Sequence, residues 1–209
     1  MRRLLSLFLA LGLLAACETN DLAEAPVPLG NFALGLNIAV ADNMQKVPIS
    51  RDASVADWEA SIIRAVENRF RRYDGTKTFN IGINVDAYAL APPGIPIVAS
   101  PKSVLVVSAN IFDDAAGVKL NAEPKQLMVF EGVSGDSLIG SGLTRTKAEQ
   151  MEALSYNAVK AVERWLAENP QWFGLAAAPL PAGAAAAPVV ATSATSAMPA
   201  LLPALLPAN

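Results

Sequence analysis

The chain of 209 residues contains no histidine and a single cysteine. Without histidine it lacks the side chain that titrates nearest neutral pH, the commonest general base and the commonest transition-metal ligand. One cysteine permits no internal disulfide. Ser-His-Asp and Cys-His catalysis, zinc sites and histidine-ligated haem are thereby closed. Carboxylate, lysine, tyrosine and Ser-Lys chemistries stay open, but no motif specifies a reaction. The expectation is therefore a non-enzyme with no cofactor and no metal. Basic charge is also scarce, with 16 Lys and Arg against 19 Asp and Glu and a net charge of −3. Nucleic acid would demand a clustered basic face, so it is not an expected partner. Long hydrophobic runs are missing too. The mostly apolar stretch Leu4–Leu14 is about half the roughly 20 residues a membrane span needs.

That stretch follows Arg2 and Arg3 and ends in Leu14-Ala15-Ala16-Cys17. A charged start, a short apolar centre and small residues at a cut site are the parts of a secretory signal. Leu-Ala-Ala-Cys closely resembles the lipobox of bacterial lipoproteins. The resemblance implies removal of residues 1–16 and attachment of fatty acyl chains to Cys17, which would tie the protein to a membrane. Glu18 follows the cysteine, where lipoproteins kept in the inner membrane often carry Asp. The resemblance thus implies an outer-membrane lipoprotein facing the periplasm. Loss of Arg2 and Arg3 takes the net charge from −3 to about −5, which disfavours electrostatic adhesion to anionic lipid.

The mature chain divides by composition. Residues 17–30 are polar, with two prolines and no periodicity, and read as a tether. Residues 31–173 are long enough for one domain with a core. Residues 174–209 carry no charge and are rich in Ala and Pro. They predict a disordered tail, partly of polyproline type. Its Leu-Leu-Pro-Ala-Leu-Leu-Pro end reads as a drifting terminus or a short docking peptide.

Within the domain, Phe32, Leu34, Leu36, Ile38 and Val40 alternate with smaller or polar residues, predicting a strand with those five facing the core. Ser54 and Asp57 form a capping-box pattern ahead of the stripe Val55, Trp58, Ile62, Val66 and Phe70. Arg69, Arg71 and Arg72 fall in that helix's last turn, where cations suit the dipole. Alternation resumes from Thr78 to Leu90 and from Val104 to Phe112. A fourth strand is expected over Lys125–Glu131. Thr146 and Glu149 repeat the capping box before a second stripe of Met151, Leu154, Ala158, Val162 and Trp165. The order is β-α-β-β-β-α. It predicts an α+β two-layer sandwich: a mostly antiparallel four-stranded sheet with both helices on one face.

Candidate sites are few. Asp113 and Asp114 read as a solvated hairpin turn, since the calcium-loop spacing is absent. The Gly132–Gly142 loop lacks both phosphate-cradle spacings and reads as a flexible linker or an edge strand. Trp172 and Phe173 are expected to fold back on the core. Two features remain as interaction candidates. One is the open face of the sheet, expected to carry Asn37, Asn80, Asn84, Asp86, Tyr88, Ser108 and Asn110. The other is the proline-stiffened loop bearing Ile95, Ile97 and Val98, which would lose little entropy on binding.

The lipobox, tether and element order together resemble small envelope lipoproteins. These include the lipopolysaccharide-assembly lipoprotein that plugs an outer-membrane barrel and the auxiliary lipoproteins of lipid-transport ABC systems. Gly140–Thr144, Ala148–Glu152 and Glu168–Phe173 are similar to stretches of uncharacterised alphaproteobacterial lipoproteins. The resemblance implies a non-enzymatic assembly or transport accessory with an envelope protein partner. The other open reading is a periplasmic lipid- or glycan-binding module.

Overall fold

Both predicted capping boxes form. Ser54 and Asp57 exchange side-chain-to-backbone hydrogen bonds at the head of α1 (Val55–Phe70). Thr146 and Glu149 do so for α2 (Lys147–Ala167). Each box satisfies amide groups that a helix start leaves without an intrahelical acceptor. The computed structural model describes residues 21–93, 103–131 and 145–175. Cys17, Ile95, Ile97, the whole Gly132–Gly142 loop and the tail beyond Leu175 lie outside the described residues.

The strands are β1 (Ala33–Val40), β2 (Gln45–Lys46), β3 (Thr78–Ala89), β4 (Val104–Asp113), β5 (Val118–Lys119) and β6 (Lys125–Phe130). The order β-α-β-β-β-α is present, with two two-residue strands added. β3 and β4 are central. β1 and β2 both run parallel to β3, while β5 and β6 both run antiparallel to β4. The sheet is therefore mixed. The parallel pair arises because α1 carries the chain from the end of β1 back to the start of β3.

The helical stripes meet the sheet as their spacing predicts. Trp58, Ile62, Val66 and Phe70 of α1 are buried, as are Met151, Leu154, Ala158, Val162 and Trp165 of α2. Opposite them lie Phe79, Ile81, Ile83 and Val85 of β3 and Leu105, Val107, Ala109 and Ile111 of β4. Each large side chain so buried stabilises by about 1.5–3 kcal/mol. At one end of the core, Phe32 stacks on Phe79 with centroids 5.4 Å apart, and Phe173 meets Phe79 edge-on at 4.9 Å. Phe173 arrives on a 3-10 turn, Pro170–Phe173, and Trp172 packs edge-on against Trp165. The fold-back expected of this pair is what the structure shows. Gly75 closes the same end, where a Cβ would lie 2.4 Å from the Phe32 backbone nitrogen.

Two expectations for the strands are corrected. β1 changes phase at a bulge between Leu34 and Asn37. Leu34 points into the core, but Leu36, Ile38 and Val40 point out, and Asn37 and Ala39 point in. A shift of one residue sends every later side chain to the opposite face. β3 changes phase in the same way between Val85 and Ala87. Tyr88 therefore leaves the open face, packs on Trp58 at 5.3 Å and hydrogen-bonds Ala53 through its hydroxyl.

The segment read as a tether is also corrected. From Asp21 onward it is packed on the domain. It begins with a 3-10 turn, Asp21–Ala23, and Leu29 is fully buried. Leu175 continues the packing past Phe173, its amide donating to the Pro170 carbonyl at 3.1 Å.

Candidate interaction face

One face of the sheet carries the two helices. The other is uncovered by any described element. The bulge in β1 places Leu36 and Ile38 on that face, 61% and 53% exposed, with Val40 beside them. The bulge is built into the neighbouring strand. The Leu36 amide donates to Asn80 Oδ1 at 2.7 Å, and a Cβ on Gly35 would lie 2.4 Å from that same oxygen. At the opposite edge Met128 and Phe130 of β6 point the same way, 61% and 54% exposed. They pair with Val106 and Val104 of β4.

Between these apolar flanks runs a polar strip. Asn84 Nδ2 and Ser108 Oγ each donate to the Asp86 carboxylate at 2.6 Å. Asn80 Nδ2 donates to Asp114 at 2.8 Å. Asn80, Asn84, Asp86, Ser108 and Asn110 thus occupy the open face as expected. Tyr88 and Asn37 do not: Asn37 Nδ2 reaches the Ile63 carbonyl of α1 at 2.8 Å. The amides on the face already serve the chain's own hydrogen bonds. What remains unsatisfied there is apolar surface, of which Leu36, Ile38 and Val40 were expected in the core from the alternation of β1.

The other candidates have structural roles. Asp113 accepts from the Ala116 amide and pairs with Lys77 at 2.6 Å. The Lys77 ammonium and the turn amides hold its carboxyl below the usual range. Among the described residues no cluster of three or more His, Cys, Asp or Glu is placed to hold a metal ion. No described helix is long and apolar enough to cross a membrane.

Sequence reasoning missed one cluster altogether. Arg69 of α1 is 1% exposed and sits between Glu163 of α2 at 2.6 Å and Asp21 at 2.7 Å. Lys160 reaches Asp21 at 2.8 Å, and the Tyr156 hydroxyl donates to it as well. The Tyr73 hydroxyl lies 2.7 Å from Glu163. Burial works against the charge on Asp21, but the hydrogen bonds from Arg69, Lys160 and Tyr156 hold its carboxyl well below the usual range. Burial, reinforced by the neighbouring Glu163 carboxylate, pushes the Tyr73 phenol far up. The dipole reading of the arginines was incomplete. Arg69 is a buried ion-pair residue, while Arg71 pairs with Glu67 and donates to the Leu34 carbonyl.

No protein family and no curated protein matches the chain. Solved structures with a distant likeness to the chain exist. A Caulobacter crescentus protein classed provisionally as a lipoprotein is 11% identical with a TM-score of 0.37, covering 63% of this chain and 90% of that one. A Xanthomonas campestris protein of the DUF330 family is 10% identical with a TM-score of 0.36, covering 71% and 93%. The minor lipoprotein of Acinetobacter baumannii is 11% identical with a TM-score of 0.28, covering 63% and 93%. Likeness at this level assigns no function.

Proposed function

We propose that the protein is a non-enzymatic envelope lipoprotein, anchored through acylated Cys17, that presents the open face of its sheet to a protein partner. The face serves an assembly or transport complex at the outer membrane, on the periplasmic side. The observation that carries the reading is the apolar set Leu36, Ile38 and Val40, turned outward on an edge strand by a bulge that Asn80 and Gly35 hold in place. Exposed apolar groups clustered on one face mark interaction surfaces. A glycan site would instead need free amides, and Asn80 and Asn84 are already bonded within the chain.

The test is a photocrosslinking residue at position 38 or 128 of the full-length protein in cells. Both positions are expected to give one discrete adduct with the same envelope protein. Position 152, on the exposed side of α2, is expected to give none. Adducts with lipid or glycan alone would favour a ligand-binding module, and no adduct at either position would refute the face.

A further inference from the structure

One member of the ion cluster, Asp21, lies four residues beyond the cysteine of the lipobox. We propose that it is a clamp that shortens the lipid anchor, so that the helical layer beside Asp21 rests against the lipid surface. The inference rests on acylation of Cys17, and it adds the membrane-facing side of the domain. Asp21 is fixed from three directions: Arg69 from α1, and Tyr156 and Lys160 from successive turns of α2. The chain after it is fastened in turn. Arg72 Nη1 donates to the Leu22 and Glu24 carbonyls at 3.0 and 2.9 Å, and the Tyr73 hydroxyl lies 2.9 Å from the Val27 carbonyl.

The consequence is one of length. An extended chain spans at most about 3.6 Å per residue, so the four steps from Cys17 to Asp21 reach about 14 Å. With the Asp21 contacts and the Arg72 and Tyr73 bonds behind them all open, the first fully buried apolar residue among the described residues is Leu29, and twelve steps would reach about 43 Å. Headgroups occupy roughly 5–8 Å on each side of the hydrocarbon. A reach of about 14 Å therefore leaves room for little more than the headgroup layer between the acyl chains and Asp21. The surface held there is the outer side of α2 around Tyr156, Lys160 and Arg164. The open sheet face lies on the other side of the molecule and is left to water and partners. Because a covalent leash sets the distance, the proximity persists at high salt, unlike adhesion by charge.

The test uses the intact lipoprotein in vesicles that contain a headgroup-borne quencher. A fluorophore is placed through a single added cysteine at position 164 or at position 126 on the open face. Intact mass first establishes whether Cys17 carries acyl chains. Quenching at 164 is expected to exceed that at 126 at least twofold, equally in low and high salt. Two variants should erase the difference: Asp21→Ala combined with Arg72→Ala, which opens the clamp together with the Leu22 and Glu24 bonds behind it, and a twelve-residue Gly-Ser insertion between Asn20 and Asp21, which lengthens the leash and leaves the clamp intact. Acyl chains present with equal quenching at both positions would overturn the clamp alone. So would an unchanged difference in the insertion variant. A chain without acyl groups would overturn the lipid-anchor reading and this inference with it.

Discussion

Replacing Arg69 by alanine is the most informative single perturbation of this fold. The guanidinium occupies the seam between the two helices and is 1% exposed, and the Glu163 side chain it neutralises is only 4% exposed. After truncation Glu163 would keep the Tyr73 hydroxyl at 2.7 Å and Arg72 at 3.6 Å. It would lose its closest cation. A buried charge stripped of its partner costs about 3–5 kcal/mol. For a body of this size that corresponds to a fall in melting temperature of roughly 10–20 °C. Urea unfolding followed by far-UV circular dichroism reads the loss. The partner variant sharpens the test. Glu163→Leu removes the orphaned charge, and Asp21 retains Lys160 and Tyr156. The double variant Arg69→Ala with Glu163→Leu should then be more stable than the sum of the single losses, by a coupling of about 2 kcal/mol. A loss below about 1 kcal/mol for Arg69→Ala, or strict additivity in the cycle, would refute a buried ion pair that matters.

Thr146→Ala removes one half of the second capping box and should cost about 0.5–2 kcal/mol in the same assay. Gly75→Ala would force a methyl group against the Phe32 backbone and should cost about 1–3 kcal/mol; wild-type stability would show that the approach is not tight. Ile38→Thr should stay within about 0.5 kcal/mol of wild type while abolishing the crosslink at position 128. Asp21 has a depressed pKa, so its contribution is complete above its ordinary value of 3.8 and is lost as the pH falls below that. Hydrogen-exchange protection of amides 21–30, compared at matched chemical exchange, should hold from pH 7 to about 4 and decline below it.

Patterns carried by one element alone were readable from the sequence. The capping boxes, both helical stripes and the existence of all four long strands follow from local spacing. What spacing cannot show is a phase change. The run Phe32 to Val40 alternates without interruption, so nothing in it marks the bulge. The bulge depends on Asn80, which lies 44 positions away and accepts from the Leu36 amide. Tyr88 was misplaced for the same reason, by the irregularity at Asp86. The ion cluster did leave a trace. Arg69 follows Ile62 by seven positions and Val66 by three, and Glu163 follows Val159 by four. A positive charge therefore falls on the apolar stripe of α1 and a negative one on that of α2, where an unpaired charge would be prohibitively costly. Two opposite charges so placed are the signature of a pair.

The bulge in β1 bears directly on the proposed function. The phase that local alternation favours would bury Leu36, Ile38 and Val40, each worth about 1.5–3 kcal/mol, and would expose Asn37. The chain adopts the other phase. It does so with parts that fit only that phase: a glycine at position 35, where a Cβ would strike Asn80 and Thr78, and an asparagine whose carbonyl receives the bulged amide. Inside, the residues that replace the large side chains are small. Ala39 and Ala41 let α1 approach the strand closely enough for Asn37 to reach the Ile63 carbonyl. Packing of α1 thus explains why small residues point inward. It does not explain why the outward positions are Leu, Ile and Val when β-branched polar residues such as Thr would hold the strand equally well. Apolar outward side chains on an edge strand invite association. The proposed partner, covering them, would account for their presence there.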